Sequence, residues 1–329
     1  MDIHELRRRI FATSNDQQFN DAALEIFRYQ NEQNSIYRLF VDSLGINAAQ
    51  IANYRQIPFL PVSFFKTHKV VTGSFPEEAV FESSGTTGTS TSRHYVADFS
   101  LYEESFTRGW RLFYGDISQY NIFALLPSYL ERQNSSLVYM VDRLLWKSDL
   151  TFGGFYLHDL EKLATEIRNA LAGNKKVMLL GVTYALLDLA EQYPLPLTGA
   201  VVVETGGMKG RREEITRAEL HETLIKAFSV TSIHSEYGMT ELMSQAWSQG
   251  GGLFTCPPWM KVLVSDTNDP LTLLPAGRTG GINVIDLANL HSCSFIATQD
   301  LGRLNDSGQF EVLGRFDSSD VRGCSLLAV

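Results

Sequence analysis

Apolar residues recur at helical spacing from the start of the chain: Leu6 and Ile10, then Leu24, Ile26 and Phe27, then Tyr37, Phe40, Val41 and Leu44. That spacing predicts two or three helices, forming a cap over residues 1–50. From Asn121 onward the pattern changes. Short apolar runs, "NIFALLP", "KKVMLLG", "GAVVVETGG" and "VTSIHSEYG", alternate with amphipathic stretches such as "LHDLEKLATEIRNAL" and "REEITRAELHETLIKAF". Strands that are apolar throughout are buried on both faces, as in a parallel sheet covered by helices. The fold class read from this alternation is α/β, with a nucleotide- and acyl-binding core expected over residues 51–250. Past Gly250 the runs are "MKVLVSD", "GGINVIDL", "SCSFIATQD" and "GQFEVLGR", broken by Gly, Pro and Asn or Asp. They predict an antiparallel β subdomain over 251–313, followed by a hinge-like motif and a cysteine-bearing tail at 314–329.

Composition then removes several functions. The chain has 329 residues, 44% of them hydrophobic and 20% charged, enough to bury a large core. Its 28 Lys and Arg against 37 Asp and Glu give a formal charge of -9, with no basic tract. Such a balance repels nucleic acid and anionic lipid, so neither is expected as a partner. The opening "MDIHELRRRIFATSND" lacks the apolar core of a signal peptide, and no run is long enough to cross a bilayer, which predicts a cytoplasmic protein. Cys256, Cys293 and Cys324 are odd in number and form no CxxC pair, so neither a disulfide framework nor a zinc site is expected.

The candidate chemistry begins at "FESSGTTGTSTSRHYVA", where the eleven positions from Glu82 to Ser92 hold eight hydroxyl residues and two glycines. The stretch follows the strand-like "EEAVFE" inside the core region, which argues against a slack linker. It lacks the lysine of a Walker A loop. Glycines that allow close backbone approach, with the hydroxyls of Ser83, Ser84, Thr86, Thr87 and Thr89, suit a polyphosphate. Three later stretches supply possible partners. "HSEYGMTELMSQ" puts an aromatic, a glycine, a hydroxyl and a carboxylate in one turn, expected just after the buried run "FSVTSI". "ATQDLGRL" places Asp300 just after another strand-like run, where a carboxylate can take both hydroxyls of a ribose, and "EVLGRFDSSDVRG" follows the hairpin signature "NDSGQ". Taken alone, each reads better as ordinary structure: a capped turn for Tyr237 to Glu241, a type I turn for Gln299 and Asp300, a solvated charge cluster for Arg315 to Arg322.

Together and in this order, these motifs resemble the adenylate-forming enzymes, the superfamily of acyl-CoA synthetases, peptide-synthetase adenylation domains and luciferases. "SSGTTG" is similar to the superfamily's phosphate loop and "YGMTE" to its second signature. "TQDLGR" is similar to its usual T-G-D-L-G-R, with Gln299 in place of glycine, and "GRFDSSDVRG" to its hinge. With "IPFLPVSFFKTHKV" and the terminal "RGCSLLAV", the chain looks most like the phenylacetate-CoA ligase branch and, closer still, the acyl-protein synthetases of bacterial bioluminescence. The resemblance covers about residues 55–323.

The resemblance implies the large N-terminal core of an adenylate-forming enzyme, layered sheets with helices, and ATP and Mg²⁺ as cofactors. It implies Ser84, Thr86, Thr87 and Gly88 on the β- and γ-phosphates, within an ATP-binding set that also includes Ser83, Gly85 and Gly238. Gly206, Gly207 and Met208 fall on the adenine, Tyr237 stacks by the base, and Asp300 and Arg315 bind the ribose. Thr240 falls on the α-phosphate and Glu241 on Mg²⁺, with Lys209, Arg211 and His234 as further candidates. Most members continue past the hinge into another small domain of about 100 residues. Here six residues follow Gly323, so that mobile lid is expected to be absent. As in the acyl-protein synthetases, the resemblance implies a C-terminal cysteine as acyl acceptor, and Cys324 stands at the matching place. Arg322 beside it favours a thiolate. Cys256 and Cys293 read as packing residues, and His94 and His158 as satisfied polar residues.

The function expected is therefore ATP-dependent activation of a fatty or other apolar carboxylic acid, then transfer through Cys324 to a partner such as a reductase or carrier. Two other readings remain open: a minimal acyl-CoA or carrier-protein ligase that takes its lid in trans, and a non-catalytic nucleotide-binding module. Apolar residues of "FALLPSYL" and "SLVYMVDRLLW" are candidates for the acyl pocket or for plain core.

Overall fold

The computed structural model describes residues 2–83, 91–126, 134–148, 151–206 and 215–315. Three helices open the chain: α1 (Ile3–Ala12), α2 (Asp16–Gln33) and α3 (Ser35–Ser43). Each starts where a short polar side chain takes free amides of the first turn. Asp2 accepts from the His4 and Glu5 N–H groups, Asn15 from Gln18 and Asn34 from Tyr37. The apolar faces built on Leu6, Ile10, Phe27, Tyr37 and Val41 are buried, whereas Leu44 lies past the end of α3 and is exposed.

Strand β1 (Leu60–Pro61), the single turn α4 (Phe64–Thr67) and the hairpin β2 (Ala79–Glu82) with β3 (Arg93–Val96) come next. The hairpin joins neither larger sheet. The middle of the chain then alternates as its apolar runs predict: α5 (Phe99–Tyr114), β4 (Tyr120–Leu125), α6 (Ser136–Lys147), β5 (Gly154–Tyr156), α7 (Leu160–Leu171) and β6 (Lys176–Gly181). It continues with α8 (Thr183–Gln192), β7 (Val201–Glu204), α9 (Arg217–Phe228), β8 (His234–Tyr237) and β9 (Ala246–Ser248). The strands form one sheet in the order β5-β4-β6-β7-β8-β9, parallel except for β9. Every residue of β4 is buried, as an apolar strand in the middle of a covered sheet requires.

Four strands close the described chain: β10 (Met260–Ser265), β11 (Thr279–Asp286), β12 (Phe295–Leu304) and β13 (Phe310–Arg315). β10, β11 and β12 pair antiparallel. The other edge of β12 is shared, with β1 parallel to Ile296 and Ala297 and β13 antiparallel to Asp300 through Leu304. The N-terminal helices pack on this second sheet. Phe27 and Tyr37 meet Phe295 with ring centroids 6.2 and 6.1 Å away. The buried Gln30 amide donates to the Asn289 and Leu290 carbonyls at 2.9 and 3.1 Å, and its oxygen takes the Ser294 N–H at 2.9 Å.

Two expectations need correction. β12 does not stop before Asp300; the β13 ladder pairs Asp300 with Arg315, and the strand runs on to Leu304. "FSVTSI" is not a strand either: Phe228 ends α9, Ser229 takes a left-handed φ of 53°, and the strand begins only at His234. Among the described residues no helix is long and apolar enough to cross a membrane.

Candidate functional site

The C-terminal end of β8 meets the β12–β13 pair. Tyr237, last in β8, donates its hydroxyl to Asp300 Oδ2 at 2.8 Å. Its ring lies edge-on between Phe254 and Phe310, with centroids 5.8 and 5.3 Å away. Asp300 is opposite Arg315 in the ladder, and Arg315 Nε lies 3.4 Å from Asp300 Oδ1. The Asp300 side chain is 13% exposed and that of Arg315 71%, so an inner carboxylate is met by a guanidinium at the surface. Burial pushes the Asp300 carboxyl up, against the Arg315 charge and the Tyr237 hydroxyl. Such a carboxylate keeps unused acceptor positions for hydroxyl donors.

Thr240 and Glu241 follow in the turn after β8. Glu241 is buried, and burial pushes its carboxyl up; the polar Ser92 hydroxyl and the charges of Arg315 and Lys66 oppose that. Ser92 closes the base of the hydroxyl-rich loop with Ser83: the Ser83 N–H donates to the Ser92 carbonyl at 3.0 Å, and the Ser92 N–H to Ser83 Oγ at 2.9 Å. Two residues on, His94 is fully buried on β3 and lies 2.8 Å by Nδ1 from the Thr240 carbonyl. Burial pushes its imidazole down to about 4, so at neutral pH the ring is uncharged. A carbonyl only accepts, so Nδ1 carries the proton. The hairpin that holds the loop is thus pinned at its root to the Thr240–Glu241 turn.

That turn is fixed from below by Asp286 at the end of β11. Its fully buried carboxylate accepts from the Met243 N–H at 2.7 Å, the Ser244 hydroxyl at 2.6 Å and the Ala288 N–H at 3.1 Å. Ser244 Oγ also takes the Trp259 indole N–H at 3.1 Å. Burial pushes Asp286 up to about 6, even with these donors.

A fourth segment enters at the end of β7. Gly206 has a left-handed φ of 68° and donates its N–H to Glu204 Oε2 at 2.7 Å. Burial would raise Glu204, but His221, its Nε2 3.9 Å from Oε1, and the Arg217 charge hold it below the ordinary carboxylate range. A Cβ at Gly238 would lie 2.3 Å from Glu236 Oε1, so any other residue there would displace the Glu236 carboxyl. Burial, aided by the Glu204 charge, pushes Glu236 up to about 8. His234 is not brought to the site. It sits three residues before Tyr237 on the opposite face of the strand, its ring 5.8 Å from Tyr114 on α5.

Tyr237, Gly238, Thr240, Glu241, Asp300, Arg315, Gly206 and Ser83 are therefore all on elements that converge at these sheet ends. Ser84, Gly85, Thr86, Thr87, Gly88, Gly207, Met208, Lys209, Arg211 and Cys324 lie outside the described residues. The positioning groups Glu204, Arg217, Asp286 and Ser92 escape a reading of the sequence alone, which takes His94 only as a satisfied polar residue. Ser92 and Glu204 stand beside the hydroxyl-rich loop and the Gly206 segment, but their positioning contacts, like those of Arg217 and Asp286, are made with residues distant in the chain.

The fold is found in solved structures. The chain resembles ATP-bound MatB from Rhodopseudomonas palustris with a TM-score of 0.54 at 16% identity, over 74% of this chain and 49% of that one. An ATP-bound RpMatB-BxBclM chimera gives 0.55 at 17%, over 74% and 49%. A 2-hydroxyisobutyryl-CoA ligase in complex with 2-HIB-AMP and CoA gives 0.66 at 14%, over 93% and 70%. The chain spans about half the length of the MatB structures it matches. No protein of curated function matches it in sequence. The fold is that of the core of an adenylate-forming ligase. More narrowly, the acyl-protein synthetase (LuxE) family profile matches residues 2–328, and the chain belongs to that family of enzymes.

Proposed function

We propose that the chain uses ATP to activate an apolar carboxylic acid as its acyl-adenylate, and passes the acyl group through Cys324 to a partner protein. The observation that carries this reading is the meeting of Tyr237 with Asp300 and Arg315 beside the Thr240–Glu241 turn, which His94 pins to the hairpin holding the hydroxyl-rich loop. Sheet ends of this kind are where α/β folds bind ligands.

In this reading the free acceptor positions of Asp300 and the Arg315 guanidinium take the ribose, and the Tyr237 ring flanks the base. Gly206, Gly207 and Met208 lie along the adenine, and Ser83, Ser84, Gly85, Thr86, Thr87 and Gly88 cradle the phosphates. The Thr240 hydroxyl makes no hydrogen bond among the described residues and is assigned to the α-phosphate. Mg²⁺ fits the donors present: it commonly binds through one or two carboxylates plus phosphates and water, and Glu241 is a single buried carboxyl, with no three-residue metal cluster among the described residues. When bound, the ion neutralises charge on the phosphates.

The substrate carboxylate oxygen forms a bond to the α-phosphorus. The bond to the bridging oxygen breaks, and pyrophosphate leaves with its electron pair. The Cys324 thiol, having lost its proton to water, then attacks the acyl carbon, and AMP leaves. Cys256 and Cys293 are poor candidates for this step, because burial pushes both thiols up to about 12. Cys324 is nine residues beyond Arg315. A chain of that length spans at most about 30 Å, enough to reach a ribose-bound adenylate.

The test is intact-protein mass spectrometry after incubation with Mg²⁺-ATP and acids from short aryl to long alkyl, with and without hydroxylamine. The expected result is a hydroxylamine-labile mass gain for one acid, mapped to the Cys324 peptide. Free acyl-AMP with no gain on the protein would move the acceptor to another molecule. Neither product with any acid would overturn the activation step.

A further inference from the structure

Arg217, in the first turn of α9, belongs to none of the motifs above, yet its side chain touches three separate parts of the chain. Nε lies 3.4 Å from Glu204 Oε1 at the end of β7. Nη1 donates to the Val312 carbonyl on β13 at 3.0 Å. The guanidinium carbon sits 5.0 Å from the centre of the Phe254 ring, which also packs against Tyr237. Arginine alone among the side chains can make all three contacts at once, because it carries five N–H donors in a rigid fork and a flat face that stacks on an aromatic ring.

The Val312 carbonyl is at a special place in β13. Leu301 pairs with Gly314 and Gly302 pairs with Val312, so Leu313 is an extra residue with no partner across the ladder. This is a β-bulge, and Gly314 beside it has a φ of 152°, a value that favours glycine. A bulge bends its strand and re-aims the side chains beyond it. The residue re-aimed here is Arg315, which comes to lie opposite Asp300. At its other end Arg217 meets Glu204, whose second oxygen holds the Gly206 N–H. The bulge that sets Arg315 and the backbone that begins the glycine segment at Gly206 are therefore joined through one guanidinium and one carboxylate.

We infer that Arg217 is a positioning residue for the nucleotide site: it holds the Leu313–Gly314 bulge in register so that Arg315 faces Asp300, and ties that register to Gly206 through Glu204. The inference rests on the nucleotide-binding reading proposed above. It adds that Arg217 acts on nucleotide through Arg315 and touches none itself. It also makes β13, the strand that leads toward Cys324, rigidly indexed to β7.

The test combines binding with hydrogen exchange on the full chain. Mg²⁺-ATP affinity is measured by calorimetry for wild type, R217Q, R315A and the double variant, with R217K as the conservative replacement. Because the two arginines act in series, each single change is expected to weaken binding about tenfold, and the double variant about tenfold rather than a hundredfold. Lysine offers a point charge without the fork, so R217K is expected to fall between wild type and R217Q. Independently of ATP, amides of residues 310–315 should exchange faster in R217Q while those of α9 stay as in wild type. Multiplicative losses in the double variant, or unchanged exchange in β13, would overturn the inference. Wild type that fails to bind Mg²⁺-ATP would overturn the nucleotide reading, and the exchange measurement would still decide whether Arg217 holds the bulge.

Discussion

Replacing Asp286 with asparagine should change how the stability of this protein depends on pH, by an amount that follows from one buried carboxyl. Asp286 is fully buried and accepts three hydrogen bonds, but no cation pairs with it among the described residues. Its value rises from an ordinary 3.8 to about 6, chiefly through burial. A raised carboxyl holds its proton in the folded state after the unfolded chain has released it. Its contribution to stability is therefore complete below the unfolded value and is lost as pH climbs through about 6, a total of about 3 kcal/mol. Between pH 4.5 and 7.5 the loss is about 2 kcal/mol. Asparagine has no such titration, and its oxygen can still accept from the Met243 N–H or the Ser244 hydroxyl. Urea unfolding of both proteins at the two pH values cancels every titration they share. The difference in unfolding free energy should move about 2 kcal/mol in favour of D286N from pH 4.5 to 7.5. A difference that stays constant, with matching urea slopes, would refute the claim that burial governs this carboxyl.

Three further outcomes are expected at the site. Y237F removes the 2.8 Å bond to Asp300 and leaves a buried carboxylate short of a donor, a cost of about 1.5–3 kcal/mol that should appear as weaker ATP binding in calorimetry and a lower unfolding midpoint. E241Q should leave the fold intact and raise the Mg²⁺ concentration needed for half-maximal acid-dependent pyrophosphate exchange by about tenfold or more; an unchanged metal titration would count against its role. C324S should keep pyrophosphate exchange at the wild-type rate and abolish acyl labelling of the chain, and persistent labelling would place the acceptor elsewhere.

The residues that touch nucleotide in the proposed reading are legible in the sequence because each lies in a short motif whose members are neighbours in the chain. "YGMTE" carries Tyr237, Gly238, Thr240 and Glu241, and "TQDLGR" carries Asp300. The buried strands are legible for a similar reason, since β4, β6 and β7 are nearly continuous apolar runs. The groups that hold those motifs in place are not. His94 meets Thr240 across 146 positions and Arg217 meets Val312 across 95, so no local pattern announces either pair. The course of β12 through Asp300 is hidden because Gln299 and Asp300 look like a turn in isolation; only the β13 partner strand makes extended backbone the better choice. The bulge at Leu313 is likewise a property of two strands together.

The packing of α2 against the turn between β11 and β12 has a consequence for how the chain is made. Gln30 finds its acceptors 259 and 260 positions downstream, and Phe27 and Tyr37 find Phe295 at a similar remove. At about 5–20 residues per second, a ribosome takes roughly 13–50 s to supply them after Gln30 has emerged. During that time Phe27 and Tyr37 have each other but lack the cover that Phe295 supplies. The faces of α2 and α3 that meet this turn are thus buried late, which leaves them open to chaperones and proteases on nascent chains.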